Sequence, residues 1–327
     1  MALPPGIVYA RAGKVEGNIR AEGTVTSSVR QGLSDNAPTL AIVASTFMWG
    51  TLWIPLRQMT AAGLGEATAS TASFALCLLL LLPFALLRWR RILAGGWPVL
   101  VAGFFMALAI ALYAEGMVRG EVARVILLFY LTPVWSSLLG RVMLGEPITV
   151  RRVATILLGL SGMLVIFGID TGIPLPSSPA DWMGLAAGIT WAICMVYVNR
   201  TADRPIFDRI FVQFIFLAPA FYLLTQIPGA REAASVTSAG LGAAWVWLIA
   251  FALFWVLPVV WLSIFGGSRL DPGRVAIFLM LEIVIGLTSA ALLTDEILGP
   301  RELIGAALIM LASLAEFVGK RPARAPV

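Results

Sequence analysis

The sequence predicts an all-α integral membrane protein with ten transmembrane helices, arranged as two inverted five-helix repeats, with both termini in the cytoplasm. Three observations predict this fold: ten long apolar segments, an alternation of cations between the segments, and a similarity between the two halves of the chain. The 327 residues are 59% hydrophobic and 13% charged, which leaves little polar chain for a soluble domain.

Each apolar segment holds roughly 20 residues, the length at which a helix covers the ~30 Å hydrocarbon core of a bilayer. Apolar residues run through each segment without the alternation of a half-buried strand. Only helices and closed barrels satisfy the backbone in lipid, so we expect helices. The segments are 38–58, 67–87, 97–118, 121–143, 150–169, 180–200, 208–227, 243–265, 272–293 and 301–318.

Lysine and arginine avoid every second gap between the segments. Counting from the amino terminus, one side of the membrane receives all but five of the 23 cations. Positive charge resists translocation, so we expect that side to be cytoplasmic. The same pattern explains the pI near 9.7 without nucleic acid. The five exceptions are Arg57, Arg119, Arg124, Arg231 and Arg301.

Several kinds of chemistry are disfavoured by residues that the chain lacks. There is no histidine, and the two cysteines, Cys77 and Cys194, lie inside spans without a partner at metal or redox spacing. There is also no glycine-rich loop ending in Lys-Ser or Lys-Thr to hold nucleotide phosphates. We therefore expect no enzyme activity, no catalytic residue, no metal and no cofactor.

The second half of the chain repeats the first. Residues 44–50 parallel 186–192 at an offset of 142, and residues 144–146 parallel 294–296 at an offset of 150. Five spans per half force the second copy to enter the membrane from the opposite side, as in many secondary transporters. The predicted parts are a polar tail (1–37), a first repeat (38–169), a linker (170–179), a second repeat (180–318) and a basic tail (319–327).

Ten spans in two repeats resemble the drug/metabolite transporter superfamily, specifically its EamA-type exporters. The motifs that carry the resemblance are Trp49-Gly50, the Leu-Gly-Glu-Pro-Ile run at 144–148, Glu296 and Leu281-Glu282. Within the family, the tryptophan-rich spans look most like the YddG-like bacterial exporters of aromatic and other neutral amino acids. One departure is Ile283, which stands where the second repeat often has proline.

The resemblance implies a multi-pass protein of the cell inner membrane that exports solutes by alternating access. Spans one, three, four, six, eight and nine would line its cavity. No lysine or arginine occupies the middle of a span, so we expect a neutral or zwitterionic cargo. The YddG-like resemblance implies aromatic and other hydrophobic amino acids. Other metabolites or drugs, an integral-membrane enzyme and a passive channel are the alternatives, and the oligomeric state stays open.

Aromatic residues inside the spans are the first candidates for substrate binding. An indole N–H at membrane depth needs an acceptor, which a cavity can supply. Trp49 and Trp191 are repeat equivalents, and Trp135 follows a proline. With Tyr113 and Tyr130 they are predicted to line a cavity, although each could serve only in packing.

Glu282 is the remaining candidate, because it lies near the middle of span nine. An ionisable group at that depth is a functional candidate by default. It either receives the ammonium group of a substrate or exchanges a proton, or it is a neutral structural hydrogen-bonding group. A second charged pair, Glu115 with Arg124, is expected across the tight turn at 119–121.

Overall fold

The computed structural model describes residues 36–64, 66–168, 175–224, 226, 238–294 and 298–318. Almost all of the predicted polar tail, half of the predicted linker, Arg231, Glu296 and the basic carboxy-terminal tail lie outside these residues.

Ten long helices form within the described residues. Nine of them are long and apolar enough to cross a membrane. The tenth, predicted at 301–318, forms over 19 residues but is more polar because it carries Arg301, Glu302 and Glu316. The helices are α1 (Asn36–Ala61), α2 (Glu66–Leu93), α3 (Trp97–Arg119), α4 (Val122–Leu144), α5 (Val150–Phe167), α6 (Pro179–Arg200), α7 (Ile206–Leu224), α8 (Ala244–Gly267), α9 (Pro272–Leu293) and α10 (Pro300–Val318).

A turn at Thr51 and Leu52 divides α1, and two other helices, α4 and α9, are interrupted near their middle. In α4, Val122–Phe129 and Thr132–Leu144 flank a turn, and in α9, Pro272–Leu279 and Leu281–Leu293 meet at Met280. The interruptions begin 150 residues apart, the offset of the similarity at 144–146. A proline follows the interruption in α4 but not the one in α9. The interruption in α9 therefore forms although Ile283 stands where the second repeat of the family often has proline.

Contacts between loops show which ends of the helices lie together. The Arg200 side chain donates to the Met143 carbonyl at 2.8 Å, and the Asn199 amide donates to the Leu270 carbonyl at 2.8 Å. The loops after α4, α6 and α8 therefore share one end of the bundle. Gly266 lies against Pro38 at the start of α1, so this end is called the amino face below, and the other end the opposite face.

Small residues let α4 and α6 approach closely. A Cβ on Gly184 would lie 2.7 Å from the Val125 carbonyl oxygen, and one on Gly188 would lie 2.6 Å from that of Phe129. Close approach between small residues is a usual way for helices to pack in lipid. The structure thus uses this glycine pair for packing.

The expected ion pair between Glu115 and Arg124 is wrong. Glu115 pairs with Arg119 one turn along α3. Arg124 pairs with Asp181 at 3.0 Å, at the start of α6. Asp181 also completes a capping box with Ser178. Proximity in sequence misled the prediction, because tertiary packing of α4 on α6 offers Arg124 a better-buried partner.

Candidate substrate cavity

A cavity lies among α1, α3, α4, α6 and α9. Five of the six predicted binding residues line it, namely Trp49, Tyr113, Tyr130, Trp191 and Glu282. The other lining residues are Ala109, Ile110, Phe129, Thr132, Ala276 and Leu279. The eighth helix, also expected here, contributes none of them.

Residues related by the two sequence offsets of 142 and 150 line this cavity in pairs. Trp49 of α1 and Trp191 of α6 are related by the offset of 142. The offset of 150 relates Phe129 to Leu279 and Thr132 to Glu282, and all four line the cavity. The cavity therefore lies where the two halves of the chain meet, and the pair Thr132 and Glu282 carries its largest chemical difference.

Glu282 is the one charged residue among the described residues that line the cavity. It is the second residue of the Leu281–Leu293 half of α9, directly after the interruption. Its carboxyl group has the Tyr130 hydroxyl as hydrogen-bond partner. Because Tyr130 lies at the interruption of α4, the two interrupted helices meet through this contact.

Phe129 connects the aromatic rings of the cavity, and the sequence analysis missed it. Its ring centroid lies 4.5 Å from that of Tyr113, 5.0 Å from that of Tyr130 and 6.4 Å from that of Trp191. Its neighbour Tyr130 was predicted, but Phe129 has no polar atom to satisfy and so raised no question of a partner. The aromatic wall thus comes from α3, α4 and α6.

The indole nitrogens distinguish the cavity tryptophans from two others. Trp53 donates to Ser289 at 3.0 Å, and Trp255 donates to the Met48 carbonyl at 2.8 Å. The Nε1 atoms of Trp49 and Trp191 are buried without a hydrogen-bond partner in the structure. An unpaired buried donor is costly, so both indoles are ready to bind an acceptor.

Trp135 is the predicted residue that the cavity does not include. It follows Thr132 by three residues in the second half of α4, and so lies one turn further from the interruption. Its indole nitrogen is also buried without a partner. A substrate role for Trp135 stays a prediction without support from the cavity.

Buried charges join three helices at the amino face. Arg152 of α5 contacts Asp271 at 2.5 Å, just before α9, and Glu316 of α10 at 3.1 Å. Arg274 of α9 donates to the Glu316 carbonyl at 2.8 Å. Glu316 is 1% exposed, and Thr155 also contacts its carboxyl group. Sequence analysis missed this cluster, although an acid in an apolar span was a possible signal.

The cavity presents a few polar groups among apolar walls. They are one carboxyl group, two phenols, two indoles and a threonine hydroxyl. Within the described ranges no group of three His, Cys, Asp or Glu could hold a metal. The polar groups of the cavity can donate and accept hydrogen bonds.

Comparisons with known proteins identify the family of the chain. No curated protein matches it. One solved crystal structure shares its fold, with a TM-score of 0.65 at 20% identity over 86% of this chain and 96% of the other. The model of the EamA-like transporter family matches residues 37–168 and 178–315. Because those matches cover most of its length, the chain belongs to the EamA-like family, and it is a multi-pass membrane transporter.

Proposed function

We propose that this transporter exports small neutral or zwitterionic solutes across the cell inner membrane, with aromatic and other hydrophobic amino acids as its cargo. The observation that carries the proposal is the single described carboxyl group, Glu282, in a cavity otherwise walled by aromatic and aliphatic side chains. Such a wall favours a partly apolar solute, and one carboxyl group favours an ammonium group. The YddG-like resemblance points the same way.

Each part of an amino acid has a partner in this cavity. The ammonium group would bind Glu282, which Tyr130 holds in position. The carboxylate would accept hydrogen bonds from the unpaired indole N–H groups of Trp49 and Trp191. An aromatic side chain would contact Phe129 and its neighbouring rings.

Alternating access would open the cavity to each face in turn, through the halves of α4 and α9. All eight residues of Pro272–Leu279, the amino-face half of α9, are buried. In the equivalent half of α4, Val122–Phe129, the buried residues are Val125, Leu127 and Leu128. This difference supports a conformation sealed at the amino face, which the charge pattern assigns to the cytoplasm. The two separate family matches support the inverted repeat.

Transport by the purified full chain in liposomes tests the proposed function. We expect saturable flux of phenylalanine, tryptophan and leucine, and no comparable flux of sugars or phosphate esters. Flux without saturation would indicate a channel. Flux of other metabolites or drugs, with none of amino acids, would replace the proposed cargo.

The variant Glu282→Gln tests the role of the carboxyl group, because it keeps the shape and hydrogen-bonding capacity but cannot titrate. We expect it to fold normally, to transport poorly and to lose pH dependence. Wild-type flux with an unchanged pH profile would leave Glu282 a purely structural role.

Single cysteines test the orientation. Leu175→Cys at the opposite face and Asp203→Cys at the amino face both replace exposed side chains. An impermeant reagent added outside cells should label position 175 and not position 203. Labelling in the reverse pattern would contradict the predicted topology.

A further inference from the structure

A second chamber adjoins the cavity and was not anticipated from the sequence. It is smaller than the cavity and lies among α1, α2, α3, α7 and α8. Trp49 and Ile110 line both spaces, so these two side chains form the partition between them. The chamber is thus directly next to the proposed binding cavity.

The walls of this chamber are suited to an apolar group. They include Phe74, Met106, Leu217, Phe251 and Val260, and none of the described residues that line it is charged. Two serines are the polar exceptions, and the Ser263 hydroxyl is buried without a partner in the structure. A charged head group would lose its hydration here without compensation, whereas a ring or alkyl chain would not.

The wall on α8 has an unusual local structure. Residues Ala252–Val256 form a π-helical segment, and such segments occur frequently at functional sites. Within it, Trp255 donates to the carbonyl of Met48, the residue before Trp49. This hydrogen bond fixes α8 beside the partition, so the chamber and the cavity keep a defined relation to each other.

We infer that the second chamber receives the outer end of the solute's apolar side chain, while the polar head stays beside Glu282 and the inner part of that side chain contacts the rings of the cavity. The inference rests on the proposed function and deepens it, because it assigns the choice of cargo to residues outside the cavity. Val260 and Phe251 then determine the largest ring or chain that the transporter accepts. The solute class is an amino acid with a ring or long alkyl side chain.

The substitution Val260→Phe tests this inference by filling the chamber. The buried Val260 lines it, whereas Val246, on the same helix, is 53% exposed and does not. Val246→Phe is therefore the matched control. Competition among alanine, leucine, phenylalanine and tryptophan is measured in liposomes. We expect Val260→Phe to weaken phenylalanine and tryptophan relative to alanine at least about tenfold, the effect of excluding a ring from burial.

The reverse substitution, Phe251→Ala, enlarges the chamber and should favour tryptophan over leucine more strongly than in the unmodified chain. Equal selectivity profiles in Val260→Phe and Val246→Phe would overturn the inference. If Val260→Phe does not fold, Phe251→Ala carries the test, and an unchanged profile in that variant overturns the inference equally.

A second measurement separates this inference from the proposed cargo. Thermal stabilisation of the purified chain is compared for aromatic amino acids, aromatic amines and aromatic carboxylic acids. If the amino acids have no effect but another ring-bearing solute stabilises the chain, the proposed cargo is wrong. The chamber proposal then stands if Val260→Phe abolishes that stabilisation and Val246→Phe does not. No response to any ring-bearing solute would overturn the chamber proposal.

Discussion

The interrupted helices α4 and α9 occupy equivalent places in the proposed inverted repeat, yet they are buried very differently. The amino-face half of α9, Pro272–Leu279, is buried along its whole length. The equivalent half of α4, Val122–Phe129, lies at the opposite face and buries three of its eight residues. Thr132–Leu144, the amino-face half of α4, packs against Pro272–Leu279, because a Cβ on Gly140 would lie 3.7 Å from Pro272. Under the proposed alternating access, this difference corresponds to a state closed at the amino face.

The buried charge cluster of the amino face is not repeated at the positions 150 residues away in the sequence. Arg152, Asp271 and Glu316 form the buried cluster. At the offset of 150, their repeat equivalents are Glu302, Glu121 and Ile166, which cannot form such pairs. In the proposed inverted repeat the two halves would share a backbone plan, and these side chains would favour the state closed at the amino face.

The largest effect is expected when Arg152 is removed. Arg152→Ala leaves Asp271 and Glu316 buried beside fewer positive charges, and loss of one partner of a buried pair costs about 3–5 kcal/mol. We expect a large drop in the thermal unfolding temperature of the purified chain. Arg124→Ala is the matched control, and its loss should be smaller because Ser177 and Ser178 still donate to Asp181. Equal losses would contradict the difference between the faces.

A smaller effect is expected when a methyl group is added to Gly273 at the same face. A Cβ on Gly273 would collide with the Ser137 hydroxyl and the Arg152 guanidinium. Gly273→Ala should cost about 1–3 kcal/mol of packing in the closed state. It should therefore raise labelling of a cysteine at Ala276, which lines the cavity, from the amino face. Gly242→Ala is the control, since a Cβ there meets nothing within 4 Å. If Gly273→Ala leaves the labelling of the cysteine at position 276 unchanged, Pro272–Leu279 does not gate the cavity.

Exchanging the residues of the Thr132 and Glu282 pair tests the equivalence of the two repeats. Both line the cavity, so a carboxyl group at position 132 should still meet an ammonium group. We expect Glu282→Thr to abolish flux of phenylalanine and the double variant Thr132→Glu with Glu282→Thr to restore part of it. A double variant as inactive as the single one would mean that the carboxyl group must follow the interruption of α9.

The smallest effect is expected for the tryptophans. Trp191→Phe removes an indole that lines the cavity, and lost aromatic contact costs about 0.5–1.5 kcal/mol, a several-fold loss of affinity for tryptophan. Trp135→Phe should leave affinity unchanged, because Trp135 is not part of the cavity wall. Binding is measured by competition in liposomes. A larger loss of affinity in Trp135→Phe than in Trp191→Phe would indicate that Trp135 contacts the substrate.

The helices could be predicted from the sequence, because each apolar segment must satisfy its backbone hydrogen bonds within the lipid. The aromatic and acidic residues of the cavity were predictable for a similar reason, since Trp49 and Glu282 carry polar groups at membrane depth. Trp135 lies one turn beyond the interruption of α4 and outside the cavity wall, so its substrate role stays a prediction. The interruption of α9 could not be predicted from a proline, because none begins its second half.

Contacts between distant residues were beyond the sequence. Arg124 was paired with a near neighbour, whereas Asp181 lies 57 positions away. Glu316 was counted within an apolar span, and its partner Arg152 is 164 positions away. Such pairs depend on which helices pack together, and charge spacing along one chain does not encode that choice.

The most direct test measures two distances at once, because the central claim is that the faces open in turn. Spin labels at Arg151 and Arg269 span the amino face, and labels at their repeat equivalents, Arg301 and Arg119, span the opposite face. The native cysteines, Cys77 and Cys194, are buried. When a transported amino acid is added, a longer distance should appear for the pair at the amino face and a shorter distance for the pair at the opposite face. The two new distances should appear in equal fractions of the molecules. No change in either pair, or lengthening of both, would contradict the account.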